Sequence, residues 1–268
     1  MPVKNNDIRN KLKKLVHKDN IILFPSGNKA LLQALKIARD KGKTKLLIQD
    51  QGGWITYKQF AKKLRLEIVE MKTDHGLLIL DELQCLADEK SVLLYTSMTG
   101  YYAVQEAKNI YEKCNTKGCF VINDASGSIG RDEAIYGDII VCSMGKGKPI
   151  NHGTGGFLGD SLQQSYSDVE EWRISPEEKE QLYQHILNLP EHLQRYKKST
   201  QQIKSDLKSS NILHPELDGI NVIILYETEE EKQQIVSYCE IKGLEIELCP
   251  RNIRVLCNAV SIEVKRIP

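Results

Sequence analysis

Short apolar runs alternate with amphipathic segments along most of this chain. "NIILFP" at 20–25 is a continuous apolar run of strand length. It leads straight into "SGNKALLQALKIARDKG", where Ala30, Leu31, Ala34, Leu35 and Ala38 recur at helical spacing. Ser26 has the side chain of an N-cap, and Gly42 lies where such a helix should stop. The alternation continues through "KLLIQD" (strand), "TYKQFAKKL" (helix), "EIVEM" (strand), "LILDELQCLAD" (helix), "SVLLYTS" (strand) and "AVQEAKNIYEKC" (helix) to three strands, "CFVIND", "DIIVCS" and "GGFLGD". Strands that are apolar throughout are buried on both faces. The pattern therefore predicts an α/β fold, a mainly parallel sheet sandwiched by helices. With the basic helical leader, this large domain takes residues 1–160.

The pattern changes beyond it. Residues 161–212 are polar and helical in character, a linker of one or two helices. The tail then returns to "GINVIILYE" (strand), "TEEEKQQIVSYCEIKG" (helix), and the strands "LEIELCP", "NIRVLC" and "AVSIEVKRI". That order predicts a small C-terminal α+β domain at 213–268.

Composition narrows the partners. The 268 residues carry 37 Lys and Arg against 36 Asp and Glu, a net charge of +1, which points to neither nucleic acid nor an anionic membrane. No apolar run is long enough to span a membrane, and the first twenty residues lack the apolar stretch of a signal peptide, so a cytoplasmic location is expected. The seven cysteines are odd in number and form no CxxC, and the six histidines are scattered; reduced thiols and no metal are the expectation. A small-molecule partner remains.

In a parallel sheet ligands gather at the carboxyl ends of the strands. Ser26, Gly27 and Asn28 open a helix, whose free N–H groups either are simply capped or hold a phosphate. Trp54, just past the second strand, either packs on its loop or stacks on a ligand ring. Asp124 ends a buried strand, where a carboxylate needs a partner; it caps the next turn or pairs with a cation or a protonated ring nitrogen. Ser143 ends the following strand and opens "SMGKGKPINHGTGG", with Lys146 and Lys148 among glycines. A nucleotide P-loop is excluded, because Ile140 stands where its first glycine belongs and Gly147 follows Lys146 in place of Ser or Thr. A desolvated lysine in such a loop can act as a nucleophile.

Taken in order, "SGN", Trp54, "VINDAS" and "SMGKGKPINHGTGG" resemble the cofactor-binding set of pyridoxal-phosphate enzymes of the aspartate-aminotransferase superfamily, fold type I, and within it the amino-sugar-forming branch. The spacing from Ser143 to Lys148 and on to Gly153-Thr154-Gly155-Gly156 matches that branch, which selects Lys148 over Lys146. The resemblance implies pyridoxal 5'-phosphate as cofactor and a Schiff base on Lys148, which would also shuttle the substrate proton. It implies that Asp124 holds the pyridinium nitrogen protonated, that Trp54 stacks on the ring, and that Gly27, Asn28 and Ser143 bind the phosphate, with Ser26 opening that helix. Gly127 departs from the pattern, which carries glutamine there, and the chain is shorter than a usual member.

The resemblance further implies an aminotransferase acting on an amino acid or an amino or keto sugar, with a small-molecule amino donor and acceptor and a homodimeric assembly. A lyase or desulfurase on the same scaffold, and a non-catalytic regulatory relative, remain open beside it. Arg254 is a candidate fork for a substrate carboxylate, and His152, Tyr101 and Tyr102 are candidates for the substrate side.

Overall fold

The computed structural model describes residues 2–162, 166, 169 and 171–266. The elements run α1 (Asn5–Val16), β1 (Asn20–Phe24), α2 (Gly27–Asp40), β2 (Lys45–Gln49), α3 (Thr56–Leu64), β3 (Glu67–Met71), β4 (Thr73–Asp74), β5 (Leu77–Leu78), α4 (Leu80–Leu86), β6 (Ser91–Thr96), β7 (Met98–Thr99), β8 (Ala103–Val104), α5 (Ala107–Thr116), β9 (Phe120–Asp124), β10 (Ile139–Ser143) and β11 (Gly156–Asp160). After them come α6 (Pro176–Leu187), α7 (Leu189–Asp206), β12 (Asn211–Ile212), β13 (Val222–Leu225), α8 (Glu229–Ile241), β14 (Ile246–Cys249) and β15 (Ala259–Ile262).

Seven strands form one sheet in the order β1-β11-β10-β9-β6-β2-β3, parallel except for β11, which is antiparallel to both of its neighbours. The side-chain alternation of each strand divides its residues between two cores. Ile22, Phe24, Ile139 and Val141 face α2 and α3, whereas Ile21, Leu23, Ile140 and Cys142 face α1 and α6. Farther along the second face, Leu93, Tyr95 and Val121 pack with Leu83 of α4 and Ile110 and Cys114 of α5. The leader is thus a structural helix that buries Ile8, Leu12 and Val16.

Four strands form a second sheet, β12-β13-β15-β14, antiparallel throughout. Its core joins Ile224, Val260 and Ile262 to Ile235 and Cys239 of α8 and to Tyr196 and Ile203 of α7. Three local expectations change. Ala103–Val104 pairs with Met98–Thr99 as a short hairpin instead of starting the helix, which begins at Ala107. The buried Gln105 side chain fixes that bend, accepting from the Leu78 N–H at 2.8 Å and donating to the Thr96 carbonyl at 2.5 Å. "NIRVLC" forms a turn closed by Arg251 and Val255, not a strand. Within 161–212 the helices begin only at Pro176, and positions 163–165, 167, 168 and 170 of that expected helical stretch lie outside the described residues. Among the described residues no helix is long and apolar enough to cross a membrane.

Candidate active site

Register places two of the expected loops side by side. Because β11 runs antiparallel between β1 and β10, Phe24, Gly156 and Ser143 lie in one row across the sheet, so the chain leaves β1 and β10 at the same edge. The first turn of α2 packs into that row. A Cβ on Gly27 would lie 2.6 Å from the Ser143 Cβ, and one on Gly156 would lie 2.6 Å from the Gly27 nitrogen. Only glycine permits this approach, which brings the positive end of α2 directly over Ser143. Ser26 caps the helix, its Oγ accepting from the Lys29 N–H at 3.3 Å. The first-turn N–H groups of a helix have no intrahelical partner, and here they border a cavity of about 220 Å³.

Ser26, Gly27, Asn28, Leu31, Trp54, Tyr101, Asp124, Ser126, Val141, Cys142, Ser143 and Lys148 line that cavity. Each polar member is held. Asn28 Oδ1 accepts from Trp54 Nε1 at 2.9 Å and from Thr56 Oγ1 at 3.3 Å, which fixes the indole against the helix start. Asp124 ends β9, with Oδ2 accepting from the Tyr57 hydroxyl at 2.6 Å and Oδ1 from the Ser126 N–H at 3.0 Å. Burial and then the Asp124 charge push the Tyr57 phenol well above its ordinary pKa, so it remains a donor. Ser126 Oγ accepts from the Ser143 N–H at 2.8 Å, tying the ends of β9 and β10 together.

The two lysines of the glycine loop part company. Lys146 is exposed, whereas Lys148 is half-buried and reaches into the cavity. Lys148 Nζ donates to the Tyr101 hydroxyl, and it lies 4.2 Å from the Tyr101 ring centroid and 5.4 Å from that of Trp54. Tyr101 also accounts for Gly127: a Cβ there would come within 3.0 Å of the Tyr101 ring and 3.2 Å of Met98 Cβ. The tyrosine ring fills the space that a glutamine side chain would need.

Three expected substrate residues lie elsewhere, and one of them, Tyr102, is buried with its hydroxyl donating to the His75 carbonyl. Arg254 is 2 % exposed and already committed, with Nε and Nη2 donating to Glu263 at 2.9 and 2.8 Å and Nη1 donating to the Ile253 carbonyl at 2.9 Å. It is not a free fork, because releasing Glu263 would strand a buried carboxylate. His152 does not line the cavity; it packs 5.9 Å from the Trp172 ring and 5.6 Å from His185, and burial followed by the neighbouring imidazole lowers its pKa. The sequence reading also missed residues that the fold recruits. Ser126 carried a signal, two positions after Asp124. Tyr57, Glu263 and Lys265 carried none. Lys265 Nζ lies 3.7 Å from the Tyr101 ring and 3.1 Å from Glu263, and burial, then Arg254 and Lys148, press its pKa down against the pull of Glu263.

The C-terminal residues 190–268 match the family model described as the MJ1341 family C-terminal domain. No curated protein matches the chain. Among solved structures, a Streptococcus pneumoniae protein described as a sugar aminotransferase, in its PLP form, superimposes with a TM-score of 0.74 at 13% identity, covering 98% of this chain and 86% of the other. A DegT/DnrJ/EryC1/StrS aminotransferase from Brucella abortus gives 0.75 at 14%, with the same coverage. The Helicobacter pylori aminotransferase PseC, involved in pseudaminic acid biosynthesis by its description, gives 0.73 at 12% over 96% of this chain and 84% of its own. Over nearly its whole length, the chain has the fold of these aminotransferases, that of fold type I.

Proposed function

We propose that this chain is a pyridoxal-phosphate-dependent enzyme, most simply an aminotransferase, with Lys148 as its covalent residue. One observation carries the reading: the Lys148 amine, the Asp124 carboxylate and the open N-terminus of α2 border a single cavity. The residues fit the group. Gly27, Asn28 and Ser143 offer a phosphate the helix dipole, free N–H groups and a hydroxyl, in a cradle that any Cβ at Gly27 would close. Asp124, oriented by hydrogen bonds from the Ser126 N–H and the Tyr57 hydroxyl, is the partner for a protonated ring nitrogen. Trp54, pinned by Asn28, supplies a flat face for the ring.

When bound, the cofactor supplies the electron sink that stabilises a substrate carbanion. The chain supplies the rest. In this reading the Lys148 amine would hold the cofactor and would carry the proton to and from the substrate carbon. Tyr101, accepting from Lys148, holds that amine beside the cavity. The partners in this reading are a small-molecule amino donor and a keto acid or keto sugar acceptor. The division into a large domain at 1–160 and a small one at 213–268, and a homodimeric assembly, belong to the same proposal.

The fold alone leaves the reaction type open, since similar structures include proteins described as a NifS-like protein and as a serine palmitoyltransferase. Titration of the purified chain with pyridoxal phosphate tests the cofactor: a visible absorption band that vanishes in Lys148→Ala is expected, and a band indifferent to that change overturns the reading. With the band in hand, amino donors are screened for conversion to the pyridoxamine form. Conversion identifies a transaminase, β-elimination products identify a lyase, and inertness to every donor identifies a non-catalytic relative.

A further inference from the structure

A second constellation lies away from the cavity, where the two sheets meet. β4 and β5 form a hairpin that leaves the edge strand β3 and turns at His75 and Gly76. Opposite it, the loop after β12 presents His214. One donor atom from each of Asp74, His75 and His214 lies within 4.8 Å of the other two. Asp74 Oδ1 is 2.8 Å from His75 Nδ1, and Asp74 Oδ2 is 3.7 Å from His214 Nε2. That His214 nitrogen is buried and has no hydrogen-bond partner.

The surroundings hold the imidazole in place. The Tyr102 ring lies parallel to His214, 12° between planes and 6.2 Å between centroids, and the His75 ring stands edge-on to it at 6.2 Å. His214 Nδ1 faces Glu216 Oε1 at 4.0 Å. A metal-bound histidine ordinarily directs its second ring nitrogen toward a carboxylate, which fixes the tautomer and leaves the other nitrogen for the ion. Here that leaves Nε2, aimed at Asp74. The hairpin tip is anchored as well, with the Tyr102 hydroxyl donating to the His75 carbonyl and the Gln49 amide to the Gly76 carbonyl.

We propose that Asp74, His75 and His214 form a site for a divalent first-row transition metal of the zinc type, joining the β4–β5 hairpin to the β12–β13 loop. Two imidazole nitrogens and one carboxylate oxygen suit such an ion and leave room for water. Donors at roughly 2.1 Å from a tetrahedral ion stand about 3.4 Å apart. Closure therefore requires small side-chain rotations. Asp74 and His75, at 59 % and 37 % side-chain exposure, are free to make them, while His214, at 15 %, serves as the fixed point. The spacing of these residues along the chain gives no metal signature, because the fold alone brings them together. The bound ion stitches the two sheets at their junction, so its free energy of binding becomes stability of their packing. The inference is independent of the cofactor reading.

The test uses the full chain, stripped with a chelator, desalted and titrated with ZnCl2 by calorimetry, with Co²⁺ absorption reporting the coordination. Saturable uptake of one ion per chain is expected, with a Tm rise of roughly 5 °C at a hundredfold excess over Kd. His214→Ala and Asp74→Asn should each weaken binding at least about tenfold. His185→Ala, which alters the other close histidine pair, should leave it unchanged. If His214→Ala does not fold, Asp74→Asn decides alone, since that carboxylate is exposed. Failure to take up one ion, uptake that survives Asp74→Asn, or uptake lost in His185→Ala overturns the site.

Discussion

The wall of the cavity and the charge cluster beside it use similar residues to opposite ends. At the cavity, Lys148 and Asp124 are half-buried, and each presents an atom to an open volume. A few ångströms away Arg254, Glu263 and Lys265 are almost wholly buried and satisfy one another. Glu263 shows the balance: burial pushes its carboxyl up, but hydrogen bonds from Arg254 and Ser261 and the Lys265 charge win and hold it down at about 2. Tyr101 is the seam, with Lys148 at 4.2 Å, Lys265 at 3.7 Å and Arg254 at 5.2 Å from its ring. Charge that faces the open cavity should cost little stability to remove, whereas buried charge that is paired is structural.

The sharpest way to break that contrast is Lys148→Ala. If the proposed function holds, turnover should fall by about 10⁴ or more, because the residue proposed as both nucleophile and proton carrier is removed. Stability should barely move, because among the described residues Lys148 donates only to Tyr101 and has no ion-pair partner that would be stranded. Steady-state rates and a denaturant melt on the same preparation check both halves. Glu263→Gln is the mirror image. It leaves two buried cations without their carboxylate, and a loss of about 3–5 kcal/mol is expected in the melt. Equal stability losses in the two variants would erase the distinction.

Acid sharpens it further. A carboxyl whose pKa is lower in the folded than in the unfolded chain stabilises at pH above its unfolded value of about 4.5 and ceases to as pH falls through about 2. On the order of 3 kcal/mol is therefore at stake. The stability gap between the parent chain and Glu263→Gln should shrink steadily from pH 5 to pH 2.5. A gap that stays constant across that window would show that Glu263 acts through packing and not through its charge.

The two regions also differed in how they could be read. The strand-to-helix junction at Ser26, the Asp124 strand end and the glycines after Ser143 were legible because each is local: a cap, a carboxylate at the end of an apolar run, a spacing within one loop. The alternation of apolar runs likewise foretold the parallel sheet and its two covers. Arg254 was misjudged for the converse reason. Its partner Glu263 lies across a turn that the pattern had read as strand, so the arginine looked free. Tyr57 was invisible because a tyrosine at a helix start signals packing, and its reach to Asp124 depends on the placement of α3. His75 and His214 belong to the same class, since only the meeting of the two sheets makes them neighbours.

The smallest effect is expected behind the cavity wall, at Tyr57→Phe, where a neutral side chain supports Asp124. The hydroxyl is buried, and burial together with the Asp124 charge keeps it protonated, so the change removes a 2.6 Å hydrogen bond to a carboxylate. A bond of that type contributes about 1.5–3 kcal/mol when its partner is left unsatisfied. Asp124 is not left so, because Oδ1 retains the Ser126 N–H and the carboxylate borders the cavity, where water or a ligand can replace the phenol. The stability loss should therefore fall to about 1 kcal/mol. If Asp124 holds the ring nitrogen as proposed, affinity for pyridoxal phosphate should drop by no more than about tenfold, as the carboxylate gains freedom to turn away. A loss of 3 kcal/mol or more would assign Asp124 to the structural class, with its position in the cavity incidental to chemistry.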